Sequence, residues 1–104
     1  MSIQSIKINT TNTVAYTSTD ETAITIMSFC NYGIADASIT LHIVKNTITP
    51  SDDNIFIKDV IITPGDTYIV YSGGEKIILE DGDYINAIAS VDNSITSITS
   101  YLRV

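Results

Sequence analysis

Ile62-Thr63-Pro64-Gly65-Asp66-Thr67-Tyr68-Ile69-Val70-Tyr71 and Leu79-Glu80-Asp81-Gly82-Asp83-Tyr84-Ile85-Asn86-Ala87-Ile88-Ala89-Ser90 are the stretches that decide the fold class. Each sets a Gly-Asp pair in front of a run whose apolar residues recur with period two. Glycine supplies the positive φ of a tight turn, and an Asp carboxylate accepts a hydrogen bond from backbone close by. Short strands opened by such turns at regular spacing predict a small β-sandwich.

The composition points the same way. Ile, Val and Thr number 20, 6 and 14, together 40 of the 104 residues, against 3 Leu. Branching at Cβ restricts χ1 and suits a pleated sheet better than a helix. The length allows one domain with one core.

Working outward, residues 13–17 and 22–30 read as strands separated by the turn-prone Ser18-Thr19-Asp20-Glu21. In residues 22–30, Ile24 and Ile26 favour one face while Met27 and Phe29 favour the other, which predicts a bulge or burial on both sides. Asn31-Tyr32-Gly33 is a turn. The cleanest alternation follows: Ala37, Ile39, Leu41 and Ile43 point one way, and Ser38, Thr40 and His42 the other. Residues 46–53 form the longest loop, and residues 54–62 are strand-like. Residues 68–71 make a further strand, followed by Ser72-Gly73-Gly74 and a short strand over 76–79. Residues 84–90 and 95–104 form a last pair, read as a hairpin across Val91-Asp92-Asn93-Ser94. The sum is an all-β chain, a single β-sandwich of about eight short antiparallel strands, either immunoglobulin-like or jelly-roll. Residues 1–11 read as an N-terminal arm or edge strand, and residues 12–104 as the sandwich domain.

The formal charge is −7, and Lys7, Lys45, Lys58, Lys76 and Arg103 are scattered. A phosphate backbone or an anionic membrane demands clustered bases, so neither nucleic acid nor a membrane is an expected partner. A single Cys30 implies no internal disulfide. The first residues lack the apolar core of a secretory signal, and no apolar run is long enough to span a bilayer. The expectation is a soluble chain made in a cytoplasm.

The candidate chemistry is thin. His42 lies on the polar face of a strand without a second ligand at metal spacing and is expected to be solvated. Cys30 ends a largely apolar strand and reads as a buried, inert thiol; a Cys30–His42 dyad would lack a third group. Glu80, Asp81 and Asp83 gather at one turn and Asp52 and Asp53 at another, but the spacing matches no calcium loop. Tyr68, Tyr71, Tyr84 and Tyr101 lie in or beside strands and read as sheet packing, which leaves Tyr32 as the candidate exposed contact. No phosphate-cradling glycine loop and no serine-nucleophile elbow is present. No catalytic, metal or cofactor residues are assigned, and an enzyme is not expected.

Val14-Ala15-Tyr16-Thr17, Ile26-Met27-Ser28-Phe29-Cys30-Asn31, Val60-Ile61-Ile62-Thr63-Pro64-Gly65-Asp66-Thr67 and Ile77-Ile78-Leu79-Glu80-Asp81-Gly82-Asp83 carry a resemblance, completed by Ala87-Ile88-Ala89-Ser90, Asn93 and Ser100-Tyr101-Leu102. From Asn12 onward the chain resembles small all-β virion structural proteins of tailed bacteriophages. Arg103 departs from that pattern, which often places an acidic residue there. The resemblance implies a non-enzymatic virion component, foremost a capsid decoration subunit that binds the assembled shell. Neck, tail or fibre accessory roles, or a carbohydrate- or receptor-binding module, are the alternatives. The implied partners are the major capsid protein or other virion proteins and further copies of the chain, a trimer being one closed form. The implied location is the virion.

Overall fold

In a computed structural model, which describes residues 2–70 and 77–103, nine strands form two antiparallel sheets packed face to face. The strands are β1 (Ser2–Ile8), β2 (Thr13–Thr17), β3 (Thr22–Asn31), β4 (Ala37–Val44), β5 (Ile55–Ile62), β6 (Thr67–Val70), β7 (Ile77–Leu79), β8 (Tyr84–Ala89) and β9 (Ile95–Arg103). One sheet has the order β1-β9-β3-β6, with β7 also paired to β3; the other has the order β2-β8-β4-β5. The expected strand over 68–71 and the glycine turn after it extend into residues 71–76, outside the described residues.

This order decides between the two sandwich types. In an immunoglobulin-like sandwich the first two strands share a sheet. Here β1, β2, β3 and β4 alternate between sheets. The pairs β1·β9, β2·β8, β3·β6 with β3·β7, and β4·β5 make one long antiparallel ribbon. That ribbon is rolled so that β9 lies beside β3 and β8 beside β4, which is the jelly-roll arrangement. Strands lie at all eight expected places, and the edge strand over residues 2–8 makes nine among the described residues.

The roll corrects one sequence expectation. Residues 84–90 and 95–104 are not a hairpin, because β8 and β9 belong to different sheets. Residues 90–94 instead cross the end of the sandwich. The crossing is tied down by the Thr10 amide donating to Asp92 Oδ1 at 2.8 Å and the Tyr32 amide donating to the Ser94 carbonyl at 2.9 Å.

Residues 2–8 are a true edge strand and not a free arm. They pair with β9 without a register break, and Ile8 is fully buried. The face conflict in β3 is resolved by a bulge between Ile24 and Ile26. Ile24 stays inside, Ile26 turns out, and Met27 and Phe29 then face the core. The extra residue, Thr25, donates its hydroxyl to the Ser100 carbonyl and side chain, both at 3.0 Å.

The core is aliphatic around one large ring. Phe29, Met27, Ile8 and Ile95 of the first sheet pack with Ile39, Leu41 and Ile85 of the second. Each such side chain, fully buried, contributes about 1.5–3 kcal/mol. Tyr16 and Tyr101 close the core with ring centroids 4.6 Å apart and a 41° tilt.

Both Gly-Asp turns are as the sequence predicts, with φ of +83° at Gly65 and +86° at Gly82. The first is docked on Asn31, which exchanges backbone hydrogen bonds with Gly65 and Asp66. The fully buried Asn31 side chain donates to the carbonyls of Ala35 and Ile62 and accepts from the Gly33 amide. Every polar atom of that residue is therefore satisfied.

Candidate functional site

The residue types that sequence reading marked for chemistry are dispersed. Cys30, expected to be buried, is half-buried instead, because it pairs with Thr67 and Thr96 on the outward side of the first sheet. His42 pairs with Asn86 and Ile55 on the outward side of the second. The whole sandwich lies between them, so they form no dyad.

His42 departs from the solvated position expected of it. It is 6% exposed, and its Nδ1 has no hydrogen-bonding partner. Two register breaks against β5, on either side of Leu41, displace the strands locally and leave His42 flanked by Asn86 and Ile55 rather than by water. Asn86 is itself buried and donates to Asn12 Oδ1 at 3.2 Å.

The carboxylates at the second Gly-Asp turn serve the backbone. Asp83 accepts from the amides of Asn46 at 2.9 Å and Glu80 at 3.0 Å, and Asp81 accepts from the Asp20 amide at 2.8 Å. Asp52 and Asp53 sit in a 3₁₀ turn capped by Ser51. Among the described residues no group of three or more His, Cys, Asp or Glu side chains is placed to hold a metal ion.

The tyrosines divide similarly. Tyr68 and Tyr101 pack against the core, and Tyr84 donates its hydroxyl to the Ile48 carbonyl at 3.1 Å. Tyr32 is exposed, as the sequence predicts; Tyr71 lies outside the described residues. A shallow groove of about 430 Å³ lies beside the 46–54 loop, lined mainly by Ile43, Ile48, Ile55 and Phe56 with Lys45 and Asp53 at its margin.

The surface that stands out is the outward face of the β1-β9-β3-β6 sheet, which sequence reading missed. Three rows of residues cross it from strand to strand. Leu102 lies beside Ala23 and Ala23 beside Ile78. Ile3 lies beside Ser100 and Ser100 beside Ile26. Ser5, Ile98, Ser28 and Ile69 follow in the third row. Large and small side chains alternate in every row and, along β9, in the strand direction as well.

All six large residues of these rows are open to solvent, from Leu102 at 38% to Ile3 at 69% exposure. A fourth row, Lys7, Thr96, Cys30 and Thr67, ends the face with its one charged outward position among the described residues. Of the eleven described acidic residues only Asp59 lies in a strand, and that strand, β5, is in the other sheet.

The signal was present in β9 but inverted. Residues 95–103 alternate correctly, yet beyond Ile95 the hydroxyl residues Ser97 and Thr99 point inward while Ile98 and Leu102 point outward. The Ser97 and Thr99 hydroxyls are buried without partners. A buried unpaired hydroxyl costs free energy, whereas an exposed aliphatic residue gains nothing for the isolated domain.

No helix among the described residues is long and apolar enough to cross a membrane. No family model, curated protein or solved structure matches the chain.

Proposed function

We propose that this chain is a non-enzymatic structural subunit of a bacteriophage virion, foremost a capsid decoration protein, and that the outward face of its β1-β9-β3-β6 sheet is an assembly surface. The observation that carries this reading is the open, acid-free aliphatic face on a chain of net charge −7. Contiguous apolar surface of this kind marks a contact site rather than a solvated exterior. The virion assignment draws on the resemblance carried by the turn and strand motifs from Asn12 onward, and the jelly-roll strand order is compatible with it, since viral capsid domains are among the users of that fold. Fold alone assigns no role.

The mechanism is mass action. A subunit that binds the assembled lattice, and not its separated parts, stabilises the lattice in proportion to its occupancy. The partners in this reading are the major capsid protein or other virion proteins and further copies of the chain. After synthesis in the host cytoplasm it would reside on the particle.

Quantitative mass spectrometry of purified virions tests the proposal. A copy number commensurate with the capsid lattice supports decoration, and a low ring-like number moves the chain to the neck, tail or fibre. Absence from particles overturns the virion reading.

A second reading, a carbohydrate- or receptor-binding module, is favoured by exposed Tyr32 and by the groove containing Phe56 and Asp53. A glycan screen with and without chelator separates it from a purely structural subunit, which should bind no glycan.

A further inference from the structure

We infer that the open face of the β1-β9-β3-β6 sheet is covered by the same face of a second copy, about a two-fold axis that runs along the strands between β9 and β3. The inference rests on the reading of that face as an assembly surface and names its occupant.

The argument is the alternation of size. A two-fold axis in the interface plane, parallel to the strands and midway between β9 and β3, places β9 of one copy opposite β3 of the other and β1 opposite β6. Carried through the observed registers, this sets Ile98 against Ser28 of the second copy, Ile26 against Ser100 and Leu102 against Ala23. The outer strands follow the rule, with Ile69 against Ser5. Each of these four large side chains meets a small one, and the two-fold repeats each meeting in reverse. Facing layers that alternate large and small interdigitate at interior density, whereas large against large would hold the sheets apart. An isologous contact requires a surface complementary to itself, and these rows are so.

Charge and polarity agree. The strands of the face contribute no acidic side chain among the described residues, and Lys7 falls opposite Thr67 rather than opposite its own counterpart. At the small positions the Ser100 hydroxyl oxygen already accepts from the Thr25 hydroxyl.

The extent is sufficient. Four strands at the usual spacing and eight residues of rise give roughly 19 by 26 Å, about 500 Å² in plan. Two such faces bury about 1,000 Å², the lower bound for a specific interface. Aligned sheets pack about 10 Å apart with a rotation near −30°. An interface of this size associates in a concentration-dependent way, and the free monomer is part of its equilibrium.

The test is sedimentation equilibrium of the full chain across a wide concentration range. Wild type is expected to form a reversible dimer. Ile98→Lys is expected to raise the dimer dissociation constant by about tenfold or more, and Ile61→Lys, on the other sheet, to leave it unchanged. Thermal unfolding of both variants verifies that each is folded. A Ser28→Cys variant carrying Cys30→Ser, treated with a short bis-maleimide, is expected to give a covalent dimer, because a single cysteine permits only an inter-chain link.

A strictly monomeric wild type overturns the inference, as does a dimer indifferent to Ile98→Lys. A trimer overturns the two-fold while leaving the oligomeric part of the structural reading intact. Detection of the chain at lattice copy number in virions, with a monomer in solution, separates failure of this inference from failure of the virion reading.

Discussion

On the β2-β8-β4-β5 sheet the outward centre is polar and covered, with His42 beside Asn86. On the β1-β9-β3-β6 sheet it is aliphatic and open, with Ile98 between Ser5 and Ser28. The edges differ in the same sense. β5 is broken by two register shifts and holds Asp59 at φ +52°, and β2 carries a bulge between Val14 and Tyr16. β1 runs beside β9 without a break. Bulges and edge charges are the means by which a sheet is finished against further contact. The second sheet has them; the first has an edge strand, β1, without a register break and a knobbed face on which Lys7 is the one charged outward position among the described residues. In the proposed dimer the first sheet's face would gain its burial from a second copy, while the second sheet keeps Val14, Phe56 and Ile61 exposed along its broken edges.

The largest effect that sharpens this contrast is expected inside the first sheet. Asn31→Leu removes three side-chain hydrogen bonds and leaves the carbonyls of Ala35 and Ile62 and the Gly33 amide without partners, a loss of about 3 kcal/mol or more in chemical denaturation. Asn86→Leu, on the outward side of the second sheet, breaks a single contact with Asn12 and should cost about 1 kcal/mol. Equal losses at the two positions would mean that Asn31 is not the hub of its turn.

The two Gly-Asp turns come next, one feeding each sheet. Gly82→Ala, before β8, meets a strained φ and the Asn46 side chain only 2.5 Å from the new Cβ. Gly65→Ala, before β6, meets the φ strain alone, with nothing within 4 Å. The expected losses are about 2 kcal/mol for Gly82→Ala and about 1 kcal/mol for Gly65→Ala, read as a difference in melting temperature.

Smaller still, and opposite in sign, is the effect in β9. Thr99→Val replaces a buried hydroxyl that lacks a partner with a methyl of similar shape, and should stabilise the domain by about 1 kcal/mol. A destabilised variant would show that the hydroxyl has a partner after all. On the other side of the same strand, Ile98→Thr should change the stability of the monomer by less than about 0.5 kcal/mol, because the residue is already 43% exposed. Its larger effect is expected on the proposed dimer, read by sedimentation equilibrium.

Much of the fold was legible because local chemistry and global structure agree. The Gly-Asp turns, the alternation from Ala37 to Leu41 and the conflict between Ile24 and Met27 each named a feature that the structure contains. Sheet membership was not legible. A four-residue link between two strands reads as a hairpin, and only the pairing of β9 with β1 and β3 shows that the link crosses between sheets. His42 failed for a related reason: period two places it outward, but outward is not solvated where neighbouring strands shift register. The open face stayed hidden because its rows run across strands that are far apart in sequence. Ser5, Ile98, Ser28 and Ile69 become a row only once three registers are known.

The measurement that tests the central claim most directly is paramagnetic relaxation of isoleucine methyl resonances by a soluble agent, followed as the protein is concentrated. Ile26, Ile69, Ile78 and Ile98 should lose their relaxation enhancement as the face is covered, while Ile34 and Ile61, exposed elsewhere, keep theirs. Face methyls that stay as accessible as Ile34 and Ile61 at every concentration would contradict the account.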